Sequence, residues 1–202
     1  LAHAVGARVI VDGVSFAPHS IPDVGAIGAD VYLFSLYKTY SVHQGLMVVR
    51  AGLMAELPNQ SHFFNDSVPD KRLNPAGPDH AQVAAAGAVL DYIEASHQHH
   101  GGTPGDDLRT AVTSTSALWR AHEDTLTPLL LDALADRDTV RLLGPATVDA
   151  VGAHRCPTIA FSPLALEPRD VAHELVQRHV QTSSGHYYAA RVLEGLGIDP
   201  DR

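Results

Sequence analysis

Two short apolar runs constrain this chain more than anything else in it. Arg8-Val-Ile-Val-Asp12 is largely β-branched and ends on Asp12-Gly13, and Val31-Tyr-Leu-Phe-Ser35 ends three residues before Lys38. Neither run alternates apolar with polar residues, so neither reads as a strand with one wet face. A third run, Gly45-Leu-Met-Val-Val-Arg50, follows, and Ile21 to Gly28 leaves room for one or two helical turns between the first two. Continuous apolar strands with helical connections predict an α/β fold, its sheet parallel or mixed and covered on both faces. In such sheets ligands bind in the crevice beyond the carboxyl ends of the strands. Asp12 and Lys38 both fall at that place, where a carboxylate and an amine can meet.

Beyond Arg50 the pattern changes. A stretch rich in Pro, Asn, Asp and Gly from Pro58 to His80 reads as loop. Ala81 to His97 then predicts an uninterrupted helix. Thr103-Pro104 predicts the start of another, with Thr103 as N-cap and Pro104 at the first helical position, running to about Ala121. Further on, Leu126–Ala135, Val171–Gln177 and Tyr187–Leu196 read as helices, and Val140–Leu143, Pro157–Phe161 and His179–Thr182 as short strands. The expected division is an α/β region over 1–105 and a small α+β domain over 106–202. The chain opens on Leu1, and Leu1 to Val5 reads as the tail of a helix stopped at Gly6. We therefore expect residues to precede it.

Composition removes several classes. The formal net charge is -9, and Lys and Arg are scattered singly, which argues against nucleic acid as a partner. Val83 to Leu90, the longest apolar stretch, is too short to span a bilayer, and no signal peptide is visible. Cys156 is the single cysteine, so no intrachain disulfide exists; it reads as a buried, inert thiol, and a cytoplasmic location is expected. No metal site is expected. His97, His99 and His100 sit near a helix C-terminus, where histidines favour the dipole when charged. His173-Glu174-Leu-Val-Gln177 lacks the second histidine of a zinc-protease helix.

On periodicity alone the plainer reading is favoured, with Asp12 as a turn residue and Lys38 as a solvated charge. The residues around them change this. Asp12-Gly-Val-Ser-Phe-Ala-Pro-His19, Gly28-Ala-Asp-Val-Tyr-Leu-Phe-Ser35-Leu-Tyr-Lys38 and His43-Gln-Gly45 together resemble the cofactor region of class V aminotransferases, a group that includes the cysteine desulfurases. Arg155-Cys-Pro-Thr-Ile-Ala-Phe161 resembles a small-domain strand of that group, and Ser184-Gly-His186 its Ser/Thr-Gly-His loop.

The resemblance implies a fold type I enzyme that uses pyridoxal 5'-phosphate: the end of a mostly parallel large domain, then a small α+β domain. It implies a homodimer acting on an amino acid. By it, Lys38 forms the Schiff base with the cofactor and moves protons at the substrate, and Asp12 holds the pyridine nitrogen protonated. Ser35 donates to the cofactor phosphate, and Tyr37 stands where some relatives have a phosphate-binding histidine. Ser15 stands where desulfurases place a glutamine that reaches the cofactor's phenolic oxygen, and its side chain is too short to reach in the same way. Gly77 falls where the partner subunit's threonine would touch the phosphate. Tyr188 falls where desulfurases carry their persulfide-forming cysteine, so transamination or β-elimination is expected rather than persulfide chemistry. A relative that keeps the fold for binding or scaffolding is the alternative.

Overall fold

The computed structural model describes residues 1–74, 77–148 and 155–201. By their internal contacts these form two compact units, Leu1–Glu123 and Asp124–Arg202.

In the first unit, β1 (Ile10–Asp12) runs parallel to β2 (Val31–Ser35), and β3 (Gly45–Val49) runs antiparallel to β2. The sheet is mixed, in the order β1-β2-β3. β2 has a neighbour on each side, and Val31, Tyr32 and Ser35 are buried. β1 is shorter and wetter than its sequence suggests: only three residues pair, and Ile10 is 66% exposed. Among the described residues β1 has a neighbour on one side only, and apolar content does not report whether a second neighbour is there to cover it.

Asp30, just ahead of β2, is the sheet's polar anchor. Its buried carboxylate accepts the Val9 N–H at 2.8 Å and contacts the His3 ring at 2.9 Å, and Arg50 lies 3.7 Å away. These bonds hold its pKa below the ordinary 3.8, the Val9 N–H contributing most, then the His3 ring. The chain reaches Asp30 through α1 (Val24–Ile27), which Asp23 caps by accepting the Ala26 N–H at 3.0 Å. Gly28, at φ 72°, ends that turn in the left-handed region.

After β3 come α2 (Ala51–Glu56), not foreseen, and a loop organised by Arg72. The guanidinium of Arg72 donates to the carbonyls of Met54, Ala55, Leu57 and Asp66, which satisfies groups that the C-terminus of α2 leaves open. The helix expected over 81–97 is two, α3 (His80–Ala85) and α4 (Gly87–His99). Asp79 caps α3. At its other end the Ala85 carbonyl is taken by the Ser41 hydroxyl at 3.1 Å, and Gly87 opens the next helix. Val89 and Ile93 of α4 pack with Leu36 and Ala111 into the buried core, flanked by Phe34 and Leu46.

Thr103-Pro104 does not start a helix. His97 and the Thr103 N–H both bind the Asp106 carboxylate, which holds the segment in a turn. Asp107 then accepts the Thr110 N–H at 3.1 Å, and α5 runs unbroken over Leu108–Ala135 with Pro128 inside it. The two helices expected over 104–121 and 126–135 are thus one. The division between the two units falls within it.

In the second unit β4 (Val140–Leu143) pairs antiparallel with β5 (Ala160–Pro163). β5 begins later than the expected Pro157. Arg141 of β4 donates at 2.8 Å to the Leu196 carbonyl, just past α7 (Ala190–Gly195). No strand forms over His179–Thr182. α6 (Pro168–Gln177) ends with His179 at φ 61° and a bond from the Val180 N–H back to the Leu175 carbonyl, so the residues expected to open a strand close a helix instead. Among the described residues no helix is long and apolar enough to cross a membrane.

Candidate functional site

The parallel register sets the site. Asp12 pairs with Leu33, so the ends of β1 and β2 lie at one edge of the sheet. Side chains alternate along a strand, so Ser35 shares a face with Leu33, and through the pairing with Asp12. Gly45 is the partner of Ser35 on β3, and a Cβ there would meet nothing within 4 Å. Space is therefore left beside Ser35. Its hydroxyl is buried and has no hydrogen-bond partner among the described residues.

At the end of β1 the Gly13 N–H donates to the Leu33 carbonyl at 2.8 Å, which prolongs the pairing one residue past Asp12. The exposed Asp12 carboxylate accepts the Val14 N–H through Oδ1 at 3.0 Å. Gly13 is buried against Tyr32: a Cβ there would lie 1.9 Å from the Tyr32 hydroxyl. Burial pushes the Tyr32 phenol up, and the charge of Asp12 adds to this. Ser15 lies in the turn that follows and is exposed.

Lys38 ends a tight turn, Leu36–Lys38, that leads directly from β2. The turn is fixed from both sides. Leu36 is buried before it, and Thr39 after it. The Thr39 hydroxyl donates to the Ser35 carbonyl at 3.0 Å, the Thr39 and Ser41 N–H groups both donate to the Leu36 carbonyl, and the Leu36 N–H donates to the Gln44 carbonyl at 2.7 Å. Tyr40 adopts φ 63°, a conformation costly for a residue with a Cβ. Its ring packs on Tyr92 and Trp119, and its hydroxyl donates to the Pro18 carbonyl. Tyr37 and Lys38 between these anchors are exposed. Lys38 Nζ lies 5.8 Å from the centroid of the Tyr37 ring, which stacks on His43 at 4.6 Å and 4°.

Asp12, Ser35, Tyr37 and Lys38 thus stand at the ends of two adjacent strands, as their positions in the sequence suggest. Thr39, Ser41 and His43, which hold the turn or its aromatic pair, were not singled out. Thr39 and Ser41 carry no local signal, because their partners are backbone carbonyls, and that of Ser41 is distant in sequence.

The family described as "Aminotransferase class-V" matches residues 1–100. An aminotransferase-like protein, FGM3, of Gibberella zeae is 29% identical over 97% of this chain and 45% of its own length. A probable cysteine desulfurase of Pseudomonas putida is 30% identical over 98% of this chain and 46% of its own length. Residues 1–100 thus match the class V aminotransferase family. The chain spans a little under half the length of those curated relatives. The solved structure of the cysteine desulfurase CsdA from Escherichia coli superposes with a TM-score of 0.69 at 22% identity, covering 98% of this chain and 46% of that one. It shares the fold.

Other residues of interest lie apart from Lys38 in the sequence and in their bonding. His97 is buried between Asp106 at 2.9 Å and the Ser114 hydroxyl at 2.6 Å, which ties α4 to α5. Glu174 pairs with Arg178 one turn on, and the guanidinium lowers its pKa. Cys156 is half-buried rather than buried, with Sγ 3.4 Å from the Thr158 hydroxyl. It lies just before β5, where the strand has not begun and packing is incomplete. Tyr188 is fully exposed at φ 66°, beside Tyr187 at φ 47°. Gly77 is exposed, and the residues before it, Pro75 and Ala76, lie outside the described residues.

Proposed function

We propose that the protein is a pyridoxal-phosphate-dependent enzyme that acts on an amino acid by transamination or β-elimination, with Lys38 as the lysine that carries the cofactor. The observation behind this is the shared strand edge: a carboxylate at the end of β1, then a buried hydroxyl without a protein partner and an unpaired amine at the end of β2. The residues fit the group. Buried hydroxyls are nearly always hydrogen-bonded, and a phosphate oxygen is the acceptor that Ser35 lacks. Lys38 makes no hydrogen bond or ion pair with the described residues, so its amine is open to an aldehyde.

When bound, pyridoxal phosphate supplies an aldehyde that condenses with amines and a ring that takes up electron density from a bond broken at the substrate α-carbon. Each residue then has a separate task. Lys38 would hold the cofactor through its amine and would take up or return a proton through Nζ. Asp12 has Oδ1 fixed by the Val14 N–H, and its carboxylate would hold the ring nitrogen protonated. Ser35 and Tyr37 would donate to the phosphate, and Ser15 lies in the turn that follows Asp12. The buried Thr39 keeps the backbone of the turn still while Lys38 moves. Tyr188, in place of a cysteine, favours chemistry that needs no enzyme persulfide. A homodimer in the cytoplasm is the setting we propose.

The test is borohydride reduction of the full-length protein after addition of pyridoxal phosphate, with peptide mass analysis. A pyridoxyl tag on the Lys38 peptide, absent from Lys38→Ala, is expected. Product analysis with amino acids then separates a keto acid formed with an amino acceptor from a released β-fragment. No tag on wild-type protein, and no absorbance band on adding the cofactor, would sink the enzyme reading and leave a retained fold.

A further inference from the structure

Tyr37 is 47% exposed and has no hydrogen bond among the described contacts, so nothing polar fixes its ring. What fixes it is His43. The two rings lie 4.6 Å apart and within 4° of parallel, closer to coplanar stacking than any other aromatic pair among the described residues. His43 comes from the far side of the Lys38 turn. That turn is closed behind it by the bonds between Leu36 and Gln44 and between Ser41 and Leu36. The imidazole therefore stands on a backbone the turn holds rigid, while the Tyr37 side chain projects from the exposed part of the same turn. A phenol with two free side-chain torsions loses rotamer freedom when it binds a ligand; one already stacked has lost it.

We infer that His43 is a positioning residue for the phosphate-binding hydroxyl of Tyr37, acting by stacking and not by touching the phosphate. This rests on the proposed function above. It predicts a specific signature, because the effect of His43 must pass through Tyr37 and must appear only when the ligand carries a phosphate. An aromatic stack of this kind is worth about a two- to tenfold change in binding.

The experiment measures equilibrium binding of pyridoxal phosphate and of pyridoxal, by fluorescence titration of the full-length protein, with thermal unfolding to check each variant. His43→Ala is expected to weaken pyridoxal phosphate about two- to tenfold and to leave pyridoxal unchanged. His43→Phe, which keeps a flat ring but no N–H, is expected to bind like wild type. In a Tyr37→Phe background, His43→Ala is expected to add no loss. An unchanged preference for the phosphorylated ligand in His43→Ala overturns the inference and leaves the Lys38 reading intact. Failure of His43→Phe to restore binding, or a full further loss in the Tyr37→Phe background, also overturns it, because His43 would then contact the phosphate itself. If His43→Ala lowers the melting temperature, His43→Leu replaces it, with the same two criteria. Absence of the Lys38 tag in wild-type protein sinks the parent reading instead, and the two failures are separate measurements.

Discussion

Replacing Ser35 with alanine should separate stability from cofactor binding in opposite directions. The Ser35 hydroxyl is buried and has no partner among the described residues. Burying a hydroxyl in that state costs about 1–3 kcal/mol. Ser35→Ala removes this cost and leaves a void of one oxygen atom, so the cofactor-free protein should be unchanged or about 1 kcal/mol more stable. For a chain of this size that is a rise of roughly 2–4 °C in melting temperature. With pyridoxal phosphate the sign reverses. A hydrogen bond to a charged group contributes about 1.5–3 kcal/mol, so affinity should fall about ten- to a hundredfold, while affinity for pyridoxal holds. Circular-dichroism melts with and without ligand, and a fluorescence titration, measure both. A cofactor-free variant destabilised by more than about 1 kcal/mol would mean that the hydroxyl has an internal partner. Equal losses for pyridoxal and its phosphate would mean that Ser35 does not face the phosphate. Either result refutes the assignment.

Two further perturbations test the framework that carries the site. Gly13→Ala places a methyl 1.9 Å from the hydroxyl and 2.1 Å from the Cζ of the buried Tyr32, so it should cost about 1–3 kcal/mol as overpacking. Tyr32→Leu should relieve most of that cost in a double-mutant cycle; an additive cycle in urea unfolding would show that the strain lies elsewhere. Asp30→Asn tests the anchor of β2. Because folding lowers the Asp30 pKa below 3.8, its contribution is present above that pH and is lost as pH falls through the lower, folded value. The stability gap between wild type and Asp30→Asn should therefore be steady near neutral pH and close below 3.8, and a gap that persists into stronger acid would contradict the view that the ionised carboxylate, held by the Val9 N–H, anchors β2.

The sequence made some of these features legible for reasons that can be named. β2 was readable end to end because its apolar run stops at Asp30 on one side and at Ser35-Leu36 on the other, and its hydrogen bonds need only the strands beside it. The place of Lys38 just past β2 was readable because strand ends place residues by chain order alone. The start of α5 was not readable. Thr103-Pro104 and Asp106-Asp107 are rival starts four residues apart, and the choice falls to His97, whose ring holds Asp106 out of the helix from α4. The failed strand at His179 has a similar cause. β-branched Val180 suggests extended chain, but the bond back to Leu175 turns the backbone first, with histidine taking the left-handed position usually left to glycine. In both cases local propensity offered two outcomes, and a contact outside the window decided between them. β1 differs, because its pattern was right in kind while its length and burial were misjudged.

The bond between Ser41 and the Ala85 carbonyl joins positions 44 residues apart, across a long loop. It means that the order of synthesis and the order of assembly differ. A growing chain holds all three strands of the first unit well before α3 exists, yet the Lys38 turn lacks its outer tether until that helix arrives and docks. Contacts of such separation form late, since the loop between them must be closed first. The Lys38 turn thus gains its outer tether only when the helical layer is in place.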